Sequence, residues 1–136
     1  MSTKILDEMR DLLQDLELVI IDELSMVSSD MLYKISQRLC EIFVSEDYFG
    51  GKAVLFVGDI MQMEPVLGRY IFKPPMSPKY AALHQVDPLW HCFKVAILTT
   101  NHRQGEGNSW TNTLNRIRVG ELNDEDIKSL ESRRKA

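Results

Sequence analysis

Leu18-Val19-Ile20-Ile21 is an unbroken apolar run, mostly β-branched, that ends at once in two acids, Asp22 and Glu23. A run this short with no polar face predicts a strand buried on both faces of a parallel sheet. The pattern recurs. Ala53 to Val57 is a second apolar run, ended by Gly58-Asp59, and Val95 to Leu98 is a third, ended by Thr99-Thr100-Asn101. Helical spacing lies between and around them. Ile5, Leu6, Met9, Leu12 and Leu13 mark a helix over residues 3–15. Ser28-Ser29-Asp30 reads as a helix start, followed by one apolar face of Met31, Leu32, Ile35, Leu39, Ile42 and Phe43. Gly50-Gly51 breaks the chain. Asn108 is expected to cap a helix running through Val119 and stopped by Gly120, and Asn123 to Asp126 to open a last one. Residues 60–88 hold all 5 prolines and are expected to be irregular. Strands separated by helices predict an α/β layer fold with a mainly parallel sheet flanked by helices.

A chain of 136 residues with 44% hydrophobic content has one domain's length and enough apolar surface for a core. Its formal net charge of -4 argues against a self-standing nucleic-acid binder, whose phosphate contacts demand a basic excess. Cys40 and Cys92, the 2 cysteines, make no disulfide framework and fit a reducing compartment. No apolar run approaches the ~18 residues of a membrane span, so no membrane partner is expected. These features predict an intracellular protein, nuclear or mitochondrial if eukaryotic.

The chemistry gathers where the strands end. In open α/β sheets, ligands bind at the carboxyl edge of the strands. Asp22 and Glu23 arrive there as adjacent carboxylates, one suited to a divalent cation and the other to orienting and deprotonating a water. Alone, the pair is more often a buried strand meeting an acidic helix cap. Phe56-Val57-Gly58-Asp59 is followed by Gln62, whose amide can bond a terminal phosphate oxygen and the attacking water together. Asn101-His102-Arg103-Gln104 follows the third run, and an arginine there can present its fork to a γ-phosphate. Each motif alone is ordinary. An acid pair, a sensor amide and a cation in that order are the parts of one phosphoryl-transfer site.

VIIDELSM, FGGKAVLFVGDIMQMEPV and LTTNHRQ resemble helicase motifs II, III and IV of superfamily 1. The match is to the petite-integration-frequency (PIF) family of DNA helicases, which includes the helicase part of Helitron transposons. The tail LNRIRVGELNDEDIKSLESR is also similar to that family, as is Pro88-Leu89-Trp90 with Phe93. The resemblance implies a partial RecA-like P-loop NTPase domain, with residues 1–136 forming the C-terminal portion of the first motor domain. It implies that Asp22 binds Mg²⁺, Glu23 is the catalytic base, Gln62 couples the γ-phosphate to DNA movement and Arg103 contacts the γ-phosphate. Gly58 and Asp59 would shape the motif III turn. ATP and single-stranded DNA are the implied ligands. The implied activity is 5′ to 3′ translocation and unwinding in repair, recombination, telomere maintenance or transposition.

Two departures stand out. Met63-Glu64-Pro65 replaces the family's usual Leu-Pro-Pro, setting an acid near a loop that faces DNA. No G-x-x-x-x-G-K-[ST] phosphate loop occurs, and Gly50-Gly51-Lys52 precedes a strand instead of opening a helix. The chain alone is therefore expected not to hydrolyse ATP. The rival reading is a non-catalytic, transposon-derived remnant or interaction module. Another P-loop enzyme, such as a nucleotide kinase or GTPase, would lack Gly-Asp-x-x-Gln followed by a strand and Asn-x-Arg.

Other features read as structural. His84, His91 and His102 lack metal-ligand spacing with the cysteines. Trp90, Phe93, Trp110, Leu114 and Ile117 are expected in cores, and Arg133-Arg134-Lys135 at a solvated end. Arg69-Tyr70, Phe72-Lys73 and Lys79-Tyr80 interleave cations with aromatics, as single-stranded DNA sites do. A proline-rich loop packed by its own rings is the expected explanation.

Overall fold

The computed structural model describes residues 3–100, 102 and 109–134. They fall into two units, Met1–Lys94 and Val95–Ala136.

In the first unit, α1 (Thr3–Leu12) leads to β1 (Leu18–Ile21), α2 (Ser29–Phe43), β2 (Ala53–Phe56) and α3 (Pro78–Val86). β1 and β2 pair in parallel, with Leu18 opposite Ala53 and Ile21 opposite Phe56. The ladder reaches past both strands, from Ala53 N to Glu17 O at one end (3.1 Å) and from Val57 N to Ile21 O at the other (2.9 Å). Val19, Ile21, Val54 and Phe56 pack on the core, whereas Leu18, Ile20 and Leu55 on the opposite face are exposed. Burial on both faces, expected from the sequence, is thus not observed. Among the described residues, the face of Leu18, Ile20 and Leu55 is left open, so successive residues alternate between core and solvent.

α2 is the spine of this unit. Ser28 caps it, its Oγ accepting from Met31 N at 3.2 Å. Such a cap contributes about 1 kcal/mol. Leu32 and Leu39 turn inward to join Phe49, Ile71, Tyr80 and Leu89 in one cluster, Ile42 is buried too, and Met31 stays on the surface. At the other end of α2, Arg10 donates to Ile42 O (2.9 Å) and Glu41 O (3.0 Å), satisfying carbonyls the helix leaves unpaired. Gly50 seats the next turn against α2. A Cβ there would lie 2.6 Å from Leu39 O, and the φ of +66° is one that glycine adopts freely. Phe49 N donates to Ser36 Oγ across the same contact. Lys52 places its ammonium 4.3 Å from the centre of the Phe43 ring, a cation–π contact. Gly50-Gly51-Lys52 is therefore a packing turn into β2.

The region expected to be irregular contains α3. Ser77-Pro78 was the local signal for it, because proline is favoured at a helix's first position. The decisive partner is remote: Asp30 accepts from Met76 N (2.7 Å) and Ser77 N (2.8 Å), fixing the start of α3. Phe93 packs edge-on to Phe49 and Phe56, as a core anchor should, and Trp90 is half-buried beside it.

In the second unit, Val95–Leu98 is not a strand. Val95, Ile97 and Leu98 are 77%, 82% and 91% exposed. A strand exists only through a neighbour's hydrogen bonds, and this segment has no strand partner among the described residues. α4 (Ser109–Val119) and α5 (Asp124–Ser132) follow. The expected cap Asn108 lies outside the described residues. Gly120 ends α4 at φ +76°, with its N–H bonded to Ile117 O and Glu121 N to Arg116 O. The Asn123–Asp126 capping box forms as expected. Leu114 and Ile117, expected in a core, are exposed. The buried centre of the α4–α5 pair is polar instead. Asp126 accepts from Thr113 Oγ1 (2.6 Å), Arg116 Nε (2.6 Å) and Asn123 N (3.1 Å). Arg133 stacks its guanidinium 3.9 Å from the Trp110 ring centre, so this residue is not simply solvated. Among the described residues, no helix is long and apolar enough to cross a membrane.

Candidate active site

Because β1 and β2 run parallel, their carboxyl ends share one edge of the sheet, and each ends in a motif singled out by sequence. Asp22 is the first residue past β1. Its Oδ1 accepts from Glu23 N at 2.8 Å, which fixes the carboxylate. Glu23 takes the left-handed conformation, φ 56° and ψ 52°. A non-glycine residue there costs about 1–2 kcal/mol, and such strain concentrates at functional sites. Its effect is to fold the chain back, so that Leu24 N donates to Val57 O at 3.0 Å. The two strand ends are thereby tied together just beyond the acid pair. Both carboxylates remain exposed.

Gly58 sits in this tie. Its φ is +147°, and a Cβ would lie 2.6 Å from Leu24 N and 3.3 Å from the Glu23 carbonyl carbon. Only glycine lets the two turns approach this closely. Asp59 then shapes its own turn: Oδ1 accepts from Met61 N (3.0 Å), and its carbonyl accepts from Gln62 N (3.0 Å). Gln62 emerges exposed from that turn.

The loop that follows is pinned a second time. Gly68, at φ +114°, leaves room for Ser28, whose Cβ would otherwise stand 2.7 Å from an added methyl group. Ser29 N donates to Arg69 O at 3.1 Å, and Ser28 bridges Tyr70. Both ends of residues 59–67 are thus held on the short stretch that follows Glu23. Sequence inspection missed Leu24, Ser28 and Gly68 as parts of the site's frame. Their contacts join backbones some forty residues apart and leave no local pattern.

Asp22, Glu23, Gly58, Asp59 and Gln62 are therefore brought to one edge. Arg103 lies outside the described residues. The fixed, exposed carboxylate of Asp22 offers hard oxygen donors of the kind a small divalent cation takes while keeping most of its water. No group of three or more His, Cys, Asp or Glu side chains forms a metal cage among the described residues. His84 serves elsewhere, its Nδ1 3.2 Å from Tyr33 Oη.

Comparison with known proteins bears on this edge. The family described as PIF1-like helicase matches residues 2–128. The ATP-dependent DNA helicase Pif1 of Psychrobacter sp. (strain PRwf-1) is 34% identical over 111 residues, 80% of this chain and 16% of that protein. The ATP-dependent DNA helicase RRM3 of Saccharomyces cerevisiae is 30% identical over 113 residues, 78% of this chain and 14% of that protein. The chain thus spans less than a fifth of the length of these curated relatives. A crystal structure of Pif1 helicase from Bacteroides, in complex with ADP-AlF3 and ssDNA, aligns with a TM-score of 0.71 and 28% identity over 96% of this chain and 31% of that one. The fold is accordingly a partial RecA-like α/β domain. With a match that spans both the acid-pair turn and the glycine turn locked onto it, this chain belongs to the PIF1-like helicase family.

Proposed function

We propose that this chain is part of an ATP-dependent DNA helicase and supplies the metal- and water-handling half of its hydrolytic site. Residues 1–136 would form the C-terminal portion of the first RecA-like motor domain. One observation carries the reading: the Asp22-Glu23 turn and the Gly58–Gln62 turn are locked together at the carboxyl edge of a parallel strand pair. The names of the relatives support it, as does the Bacteroides helicase described with ADP-AlF3 and ssDNA.

In this reading Asp22 holds Mg²⁺, Glu23 orients the attacking water and accepts its proton, and Gln62 senses the γ-phosphate. Arg103 offers a guanidinium to that phosphate. When bound, the ion neutralises charge that builds on the phosphates. The strained Glu23 backbone and the Gly58 contact hold base and sensor on one frame, so a change at the phosphate reaches the 59–67 loop. Through that loop, hydrolysis would drive 5′ to 3′ movement on single-stranded DNA and duplex unwinding, in repair, recombination or telomere maintenance.

No Gly-rich phosphate loop occurs in the 136 residues. Alone, therefore, they are expected to give no detectable ATP hydrolysis. A single-turnover signal from the purified chain, lost in Glu23→Gln, would contradict this. In a chimera that takes its phosphate loop and second motor domain from a relative, Glu23→Gln should lower DNA-stimulated hydrolysis by about 100-fold or more with nucleotide binding retained. Full hydrolysis by that variant removes Glu23 from the role of base.

A further inference from the structure

The three cation–aromatic pairs in the proline-rich stretch behave differently in the structure. Tyr80 is buried, stacked on Tyr33 with ring centres 5.7 Å apart, and bonded to Gln37, so the Lys79-Tyr80 pair is packing. Ile71 fills the core at 2% exposure. Tyr70 and Phe72, either side of it, are stacked on each other, with centres 5.3 Å apart and planes 13° from parallel. Phe72 is 38% exposed. Lys73 holds its ammonium 5.6 Å from the Phe72 ring centre, and Arg69 is exposed just before the pair.

We propose that Tyr70 and Phe72, flanked by Arg69 and Lys73, form a platform on which one unpaired base of single-stranded DNA stacks while Lys73 meets the adjoining phosphate. The ligand rests on the helicase reading above; the place rests on the loop's own geometry. Four features support it. The ring pair is already parallel, so a third flat ring extends the stack without reorganising it. The backbone beneath is rigid, held by Ser29 N on Arg69 O, the Ser28–Tyr70 bridge, and the turn from Lys73 N to Tyr70 O (2.8 Å). The local charge is right: the chain has 20 acidic residues, yet none lies between Glu64 and Asp87, where Arg69, Lys73 and Lys79 fall. The carboxylate that α2 brings to this stretch, Asp30, is engaged by the Met76 and Ser77 amides. A duplex keeps its bases stacked inside, so the platform selects single strands.

The test titrates the 136-residue chain with labelled oligothymidylate and with an abasic oligomer of equal length, at several salt concentrations. Phe72→Leu keeps an apolar side chain without the aromatic face. It should weaken oligothymidylate binding about tenfold, leaving abasic binding and the salt slope unchanged. Phe72→Tyr should restore affinity, which separates lost stacking from lost folding. Lys73→Gln should weaken both oligomers and reduce the steepness of the log–log salt dependence by about 0.7. Tight oligothymidylate binding that Phe72→Leu leaves within about twofold overturns the platform alone. Equal weakening of the abasic oligomer overturns it too. Absence of any oligothymidylate binding by the chain overturns the platform, whereas the helicase reading falls only on the hydrolysis test of the chimera.

Discussion

Gly58→Ala tests the frame of the site directly. The native φ of +147° lies where a side chain costs about 1–3 kcal/mol. The added methyl would also stand 2.6 Å from Leu24 N and 3.1 Å from Leu24 Cβ. The first of these atoms is backbone, so no rotamer change relieves the overlap and the two turns must separate. Separation gives up the Leu24 N to Val57 O bond, worth about 1 kcal/mol. The sum is about 2–4 kcal/mol. For a unit as small as Met1–Lys94, each kcal/mol moves the melting midpoint by about 4–8 °C, so a fall of about 10–30 °C is expected. Gly51→Ala is the control. It too has positive φ, +73°, but its methyl would meet nothing closer than Asp47 Oδ2 at 3.7 Å. Only the backbone term remains there, about 1 kcal/mol. Urea unfolding followed by Trp90 fluorescence, in a Trp110→Phe background, reads the first unit by itself. If Gly58→Ala costs no more than Gly51→Ala, the close approach of the two turns is not the constraint argued above.

Three further outcomes are expected. Arg116, Thr113 and Asn123 bond the Asp126 carboxylate and hold its pKa well below the usual carboxylate range. A lowered pKa contributes stability that is full above the unfolded value and lost only as pH falls towards the folded one. The α4–α5 helical signal should therefore survive to strongly acidic pH by circular dichroism, and Asp126→Asn should weaken it at neutral pH. The bond from Tyr48 to Asp87 pushes the Tyr48 phenol up to about 12. Its stabilising effect persists below about 10 and is lost as pH rises towards 12, so Tyr48→Phe should remove the last-titrating phenol from an alkaline absorbance titration. The exposed apolar face of Leu18, Ile20 and Leu55 limits the burial that holds the sheet. The chain alone should melt below about 65 °C, and a sharp transition well above that contradicts the inference.

Much of the candidate site was legible in sequence because its pattern is local. A strand ended by Asp22-Glu23 and another ended by Gly58-Asp59 with Gln62 announce themselves by apolar runs and abrupt polarity. The capping signals at Ser28 and Asn123 were legible for the same reason, since each satisfies amides within three residues. What failed depended on partners far away in the chain. Val95–Leu98 has a strand's composition, but composition supplies no hydrogen-bonding neighbour. α3 was hidden among prolines, and the carboxylate that fixes its start comes from Asp30, forty-six residues upstream. Leu114 and Ile117 have helical spacing, yet the α4–α5 contact closes around Asp126 and Arg116, because a saturated charged network can occupy a small buried centre.

The sequence by itself determined which groups are available: two carboxylates, an amide and a glycine, each set at a strand's end by short-range pattern. Only the tertiary structure decided that they share one edge of the sheet. Parallel pairing brings the two strand ends to a common edge, and the left-handed turn at Glu23 returns Leu24 to Val57. Gly58 then lets the turns close to within a distance that any side chain would block. It also divided the aromatic residues of the proline-rich stretch, burying Tyr80 and leaving Tyr70 and Phe72 stacked at the surface. Alternation about the buried Ile71 sets the sides those rings take, and nothing in their spacing reveals which side is solvent.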